Sequence, residues 1–480
     1  MDINPPHHLR DRVIRQPRRE QFQPTVAEVP PVRQPHRIFR SPFILFFGFA
    51  ILITIGGLLL SLPISSTERA FTPLELAFFT ATSAVTVTGH AANNTSTYWS
   101  HFGEAVIFFL MLIGGLSFLA LAVFILALLG QRSTLSERLV LRETLGVDRI
   151  GGLRRITRNI VLVAFLIYLI GAAAIFWRIN GLDDMGFSES VWQSLFLSVA
   201  AFNNAGFSIL PEMPPGSGLV RIATDQTLHL ALTALIILGG IGWTTLVDLY
   251  RHRRFSRLAL DTKLVITTSI FLWIVGAAII FSAEYLKPTL FPELNLLDKL
   301  INSIFHSASA RTTGLATINF AEAQDVTKLT YSGLMFIGGA TGSVAGGIKV
   351  NAFAVLIAAV ISSVQGRPQA EAFGREIAQT QLLRAITVAI LGFLLIVIAM
   401  IALSLADPDL DFLDLLFDTA SAFGTVGFST GIVPEMSVAG KAILMVVMFI
   451  GRLGPLTLAL ALAPQEHTVY RFVQERVTIG

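Results

Sequence analysis

Four short segments, each ending in glycine, hold the chemistry this sequence can do: Thr86-Val87-Thr88-Gly89, Asn203-Asn204-Ala205-Gly206, Arg311-Thr312-Thr313-Gly314 and Gly424-Thr425-Val426-Gly427. A glycine at each end admits φ > 0 and close approach of backbone to backbone. Carbonyl oxygens can then turn toward a common axis and replace the hydration shell of a cation. Together the segments read as four walls of one ion pore.

The elements that must position them repeat as well. Of the 480 residues, 53% are hydrophobic and 14% charged, the balance of a multi-span membrane protein facing lipid. Apolar runs long enough to cross a bilayer, about 20 residues each, lie at 43–62, 104–130, 159–179, 227–249, 264–283, 328–361, 382–405 and 440–463. Between the members of each successive pair is a shorter apolar stretch, at 73–86, 189–202, 296–309 and 412–423. As a helix it would extend roughly 20 Å and fall short of spanning, so four re-entrant half-helices are expected.

Their starts are alike. Thr72-Pro73-Leu74-Glu75 offers a capping threonine, proline at the first helical position and an acid three residues after the cap. Asn295 with Asp298 and Asp411 with Asp414 repeat the cap and acid, and Ser188 caps the second stretch. From cap to glycine the intervals are 17, 18, 19 and 16 residues (72 to 89, 188 to 206, 295 to 314, 411 to 427). Beyond each glycine comes a helix bearing Ile113-Gly114-Gly115, Leu238-Gly239-Gly240, Ile337-Gly338-Gly339 or Ile450-Gly451-Arg452. The expected fold class is an all-α polytopic membrane protein, with eight transmembrane helices plus four re-entrant pore helices in four membrane-pore-membrane repeats around a pseudo-fourfold axis. All four copies run the same way, unlike transporters built on inverted repeats.

Residues 1–41, with eight arginines, read as a disordered basic cytoplasmic tail. That charged region is too long, and Leu60-Ser61-Leu62-Pro63 too poor a cleavage site, for a secretory signal. Repeat one occupies 42–130, a linker and repeat two 131–249, repeat three 250–361, repeat four 362–463, and a cytoplasmic tail 464–480. The N-terminal tail and the loops 131–158, 250–263, 349–384 and 464–480 hold 26 of the 35 Lys and Arg. Both termini are therefore expected in the cytoplasm, with the half-helices entering from outside. Each half-helix then points its carbonyl end, with its partial negative charge, at the membrane middle, where four together stabilise a cation. Non-helical backbone at that depth is tolerated only where it lines a watery cavity.

With their flanks, Thr82 to Gly89, Ala201 to Phe207, Arg311 to Gly314 and Phe423 to Thr430, the four motifs resemble the superfamily of K⁺ transporters that includes Trk, Ktr and plant HKT proteins. The resemblance covers residues 42–480 and is greatest to the membrane subunit of a Ktr-type potassium uptake system. Trk-type subunits carry an additional pair of spans at the N-terminus, where here only the arginine-rich tail precedes the first span. The resemblance implies a K⁺-selective pathway across the plasma membrane with K⁺ at the filter glycines Gly89, Gly206, Gly314 and Gly427. In plant relatives a serine at the first of these positions goes with Na⁺ permeation, so Gly89 argues for K⁺. Also implied are Na⁺ as an activator, a homodimer in membrane lipid, and a cytoplasmic ring of nucleotide-binding regulatory subunits. The basic loops 131–158 and 250–263 are candidate docking faces for that ring.

A second candidate site is Gly338-Gly339-Ala340-Thr341-Gly342-Ser343-Val344-Ala345-Gly346-Gly347. Its five glycines break a helix that would otherwise continue. Close packing of small residues is the plainer reading, whereas the resemblance implies an intramembrane gating loop under the filter. Lys349, at its end, has an acidic partner or water within reach. Arg452 stands where the other copies have Gly115, Gly240 and Gly339, and an arginine at membrane depth must be solvated or paired. It is expected to face the pore cavity, and the resemblance places it beside the gating loop. Arg311 is expected to brace the filter from behind through backbone carbonyls. His90 stands where the resemblance leads one to expect an apolar residue, and reads as a wet vestibule residue, with pH sensing the other possibility.

Several classes are excluded. Cysteine is absent and the nine histidines are scattered, so no disulfide, thiolate or zinc spacing exists. A pI near 9.3 reflects loop charge that orients the chain rather than nucleic-acid binding. No acid sits deep in a long span, which speaks against a proton-relay antiporter. No clustered nucleophile, base or metal ligands point to an enzyme. The rival reading within transport is a less selective or ungated Na⁺/K⁺ channel.

Overall fold

The computed structural model of the chain describes residues 43–116, 153–180, 185–210, 224–286 and 294–454. The arginine-rich tail, most of the 131–158 loop, the ends of the second and eighth apolar runs and the segment 464–480 lie outside them.

The described elements are helices α1 (Phe43–Ser61), α2 (Leu74–Val85), α3 (Thr95–Tyr98), α4 (His101–Gly115), α5 (Leu153–Ile179), α6 (Phe187–Phe202), α7 (Gln226–Ile241), α8 (Trp243–Arg251), α9 (Leu260–Leu286), α10 (Leu296–Ser309), α11 (Asp325–Phe336), α12 (Val350–Val364), α13 (Gln379–Ala406), α14 (Phe412–Gly424) and α15 (Val438–Leu453), with a small hairpin of β1 (Glu371–Ala372) and β2 (Arg375–Glu376) between α12 and α13. Among the described residues, α5, α9 and α13 are long and apolar enough to cross a membrane, and α7 with α8 makes a fourth if the pair is one bent span.

These helices wear their apolar residues outward. On α13, Ile390, Phe393, Ile398 and Ile401 are exposed, while Ala385, Gly392, Ile396, Ala399 and Leu403 recur at helical spacing on the buried face. Lipid is the solvent that rewards this pattern. Small residues on the inner face bring helices close: a methyl built on Gly392 would lie 2.8 Å from the Phe423 ring.

The short helices α2, α6, α10 and α14 have 12, 16, 14 and 13 residues. Each packs against the long helix before it, α1, α5, α9 and α13. The next helix of each unit then packs on the short helix of the following unit: α4 on α6, α7 on α10, α11 on α14, and α15 back on α2. The contacts run in a closed circuit, and the four short helices converge on its centre.

Two of the four expected caps differ from the sequence pattern. Asn295 and Asp411 accept from backbone N–H groups of their helices' first turns. Thr72 does not: Pro73 is the N-cap of α2 and makes no side-chain bond, and the Thr72 N–H goes to Ser61 O at 3.2 Å. Ser188 lies inside α6, which starts after Gly186. Neither start has a side-chain cap bond.

Two long runs are not single helices. The expected span 227–249 bends by 98° at the break between α7 and α8, where Gly242 takes φ +87° with Thr341 O 2.7 Å from the site of a built Cβ. The run 328–361 stops at Phe336 and resumes at Val350, with the glycine-rich segment between.

Candidate functional site

Each short helix ends in a turn of one kind. Thr88, Ala205 and Val426 donate their N–H five residues back, to Ser83, Ala200 and Ser421 O, at 2.8, 2.8 and 2.9 Å. The residue before each donor is left-handed, as this terminator requires: Val87 at φ 52°, Asn204 at 55° and Thr425 at 48°. Asparagine tolerates that region, but branched valine and threonine do so at about 1–2 kcal/mol, and such strain persists where the surroundings enforce it. The third turn departs. Thr313 bonds four residues back to Ser309 O at 2.8 Å, and Gly314 itself makes the five-residue bond at 3.3 Å.

The four glycines that follow all have positive φ, 88° at Gly89, 69° at Gly206, 72° at Gly314 and 99° at Gly427. They meet. A methyl built on Gly89 would lie 2.7 Å from Gly206 Cα; on Gly206 it would strike Thr313 O; on Gly314 it would lie 2.8 Å from Gly427 Cα; and on Gly427, 3.0 Å from Gly89 Cα. The predicted segments are thus brought together as a closed ring of backbone, and no side chain fits at its four corners.

The side chains beside the ring hold it rather than fill it. Thr86, Val87, Thr88, Asn203, Asn204, Ala205, Thr313, Thr425 and Val426 are fully buried and Thr312 nearly so. Thr86 Oγ1 bonds to Thr82 O and Thr88 Oγ1, both at 2.7 Å. Asn203 accepts from Tyr168 Oη at 2.7 Å and donates to Met111 O at 3.2 Å, tying the second turn to α4. Thr313 Oγ1 donates to Asn204 Oδ1 at 2.8 Å between the second and third turns. Gly427 N donates to Ser421 Oγ at 3.0 Å.

The repeated glycine pairs support the ring from behind. Built methyls on Gly114, Gly239 and Gly451 would strike Val85 O, Phe202 O and Phe423 O, the carbonyl ends of the short helices. The third unit departs: a methyl built on Gly338 would strike Gly346 O in the glycine-rich segment, while one built on Gly424, at the end of α14 in the fourth unit, would strike Met335 O of α11. The carbonyl ends of α2, α6 and α14 thus abut Gly114, Gly239 and Gly451, and the partial negative charge of a helix C-terminus beside the ring favours a cation.

The glycine-rich segment lies against this site. Ala340 N and Val344 N donate to Gly240 O and Gly239 O at 2.9 and 3.3 Å, and Trp243 N donates to Gly342 O at 3.3 Å. Thr341 N donates to Asn351 Oδ1 at 2.9 Å. Thr341, Gly342, Ser343 and Val344 are half-buried, whereas Ala345, Gly346 and Gly347 are buried, with Thr425 against Gly346. Arg452 Nη1 donates to Val344 O, and its Nη2 to Gly114 O at 2.5 Å. Lys349 Nζ donates to Ala345 O, a backbone partner rather than an acid. Arg311 Nη2 donates to Gly338 O at 2.8 Å and its guanidinium lies 5.7 Å from the Trp273 ring centre. The carbonyl it holds belongs to the glycine-rich segment, not to the glycine turns.

His90 is not wet. It is 0% exposed and lies 3.7 Å from Asp418, also 0% exposed. Sequence reasoning missed Asp418, Asn351, Tyr168 and Gly242. Gly242 carried a legible signal, as a third glycine after Gly239-Gly240.

The fold is shared with the solved potassium transporter TrkH of Vibrio parahaemolyticus, with a TM-score of 0.69 over 91% of this chain and 86% of that one at 18% identity. The family model described as "TrkH: Cation transport protein" matches residues 51–471, and the chain belongs to that family, within its Trk/Ktr membrane subunits. It is 38% identical to Ktr system potassium uptake protein B of Bacillus subtilis, covering 92% of this chain and 97% of that one. It is 32% identical to the potassium/sodium uptake protein NtpJ of Enterococcus hirae, covering 90% and 96%. These relatives are transporters, not enzymes.

Proposed function

We propose that the chain is a potassium uptake protein of the plasma membrane, in which the ring of Gly89, Gly206, Gly314 and Gly427 is a K⁺ filter and residues 340–347 with Arg452 are its gate. The closed ring of four positive-φ glycines at four helix carbonyl ends carries this reading. Carbonyls held that way replace an ion's hydration shell at no cost in side-chain order. The potassium uptake named for the Bacillus subtilis relative supports K⁺ as the ion.

The finer organisation belongs to the same proposal. It comprises eight spans with four pore helices, four repeats within 42–130, 131–249, 250–361 and 362–463, and cytoplasmic termini. The closed circuit of helix contacts supports it. A homodimer and a cytoplasmic nucleotide-binding ring rest on the likeness to Ktr systems. Sodium as an activator rests on the same likeness, and the Enterococcus hirae relative is named for uptake of potassium and sodium. The experiment is complementation of a K⁺-uptake-deficient bacterium by the wild type and by Gly89→Ser. Growth at low K⁺ is expected with the wild type and a large loss with the variant, and no growth with either, despite membrane expression, defeats the reading.

One observation favours a less selective Na⁺/K⁺ channel: the third turn lacks the left-handed residue of the other three, so the ring departs from fourfold equivalence at Gly314. Comparable K⁺ and Na⁺ flux through the wild type would support it.

A further inference from the structure

His90 follows the first ring glycine and Asp418 sits in α14, the short helix of the last unit. Both side chains are fully buried, with Nδ1 and Oδ1 3.7 Å apart, and neither of these atoms has a hydrogen-bond partner. His90 Nε2 is unpartnered too. The other carboxylate oxygen, Oδ2, accepts from Thr430 N at 3.1 Å and Thr430 Oγ1 at 3.0 Å, three residues past Gly427. Asp418 thus grips the chain as it leaves the fourth turn, and His90 is the chain as it leaves the first.

The nearby charges are otherwise committed. Asp414, one turn earlier on α14, is paired with Lys328 of α11 at 2.7 Å. Among the described residues, Asp418 is the acid within ion-pair distance of His90. Buried polar atoms without partners, here His90 Nδ1 and Asp418 Oδ1, are costly. A shift of under about 1 Å would bring Nδ1 and Oδ1 into hydrogen-bond range.

The position of the pair matters. Units one and two are tied by Asn203 on Met111 O, and units two and three by Thr313 on Asn204. The last and first units meet where Gly427 and Gly89 touch, and His90 faces Asp418 across that seam. We propose that His90 and Asp418 share one proton as a clasp across the seam, fixing the spacing between Gly89 and Gly427 and thereby setting discrimination between K⁺ and the smaller Na⁺. These are positioning residues, and the inference rests on the reading of the ring as a potassium filter. An unclasped seam leaves the ring free to adjust its width to the smaller ion.

The test is K⁺ and Na⁺ flux through the purified full chain in liposomes. K⁺ uptake by the wild type tests the filter reading by itself, before any variant is made. Given that uptake, His90→Leu is expected to lower the K⁺ to Na⁺ flux ratio about tenfold, the scale of a hydrogen bond to a charged group. His90→Gln, whose amide can still reach Asp418, is expected to keep the ratio within about twofold. In a cycle with Asp418→Leu the double variant should lose no more than Asp418→Leu alone. An unchanged ratio in His90→Leu, or losses that multiply in the double variant, overturns the clasp. Should the leucine variants yield no folded protein, ¹⁵N spectra of the wild-type histidines decide: a hydrogen-bonded His90 Nδ1 supports the clasp, and a free imidazole overturns it.

Discussion

The guanidinium of Arg452 donates to the carbonyl of Val344 in the glycine-rich segment, and its second nitrogen reaches Gly114 O at the end of α4. One side chain thereby fastens the segment of the third unit to the first and last units beneath the glycine ring. In the proposed gate this fastening would hold the segment closed, with positive charge beside it. Arg452→Ala removes both effects. Potassium flux through the purified protein is expected to rise about tenfold, the worth of one charge-assisted hydrogen bond. Unchanged or lower flux in folded Arg452→Ala protein contradicts a closing role.

The segment has a second anchor. Asn351 accepts from Thr341 N and donates to Asp261 at the start of α9. Asn351→Ala frees one edge of the segment and is expected to raise basal flux a few-fold. Deleting Thr341 to Ala345 should raise it further. If the stretch served packing alone, the deletion would instead lose the protein, as read by membrane abundance and size-exclusion profile.

Gly114, Gly239 and Gly451 owe their identity to close approach rather than to conformation. Each leaves room for a short-helix carbonyl where a methyl would collide. Alanine at any of them is expected to cost about 1–3 kcal/mol by overpacking and to lower the thermal midpoint of the detergent-solubilised protein by several degrees. Gly333, inside α11, is the control: nothing lies within 4 Å of its built Cβ, and alanine there should hold or raise the midpoint, since it is the better helix former.

Much of this was legible because glycine, helix length and apolarity are local properties. The short helices were expected at 296–309 and 412–423 and are found at Leu296–Ser309 and Phe412–Gly424. The glycine pairs marked their contacts through recurrence alone. What escaped depended on distant neighbours. An apolar run has no periodicity to reveal a bend, so α7 and α8 read as one span although Thr341 O sits in the elbow at Gly242. His90 looked wet because a lone histidine after a turn normally is, and only the return of the fourth unit brings Asp418 over it. Thr72 had the cap sequence, but Pro73 takes the cap position and Thr72 Oγ1 accepts from Tyr98 Oη at 3.4 Å.

Lys328 and Asp414 bridge the third and fourth units at 2.7 Å, 9% and 19% exposed. Removing one partner of a largely buried pair strands the other charge. Lys328→Met is expected to destabilise by about 2–4 kcal/mol, and Lys328→Met with Asp414→Leu to recover most of that loss in thermal scans. Equal losses in the single and double variants would mean that the pair contributes only packing.

Ion occupancy of the ring can be read directly by anomalous diffraction from crystals grown in Tl⁺, a K⁺ surrogate. The expected result is a peak on the axis bounded by Gly89, Gly206, Gly314 and Gly427, lost in Gly89→Ser. A protein that carries Tl⁺ into liposomes yet shows its anomalous density only away from those four glycines would contradict the assignment of the ring as the filter.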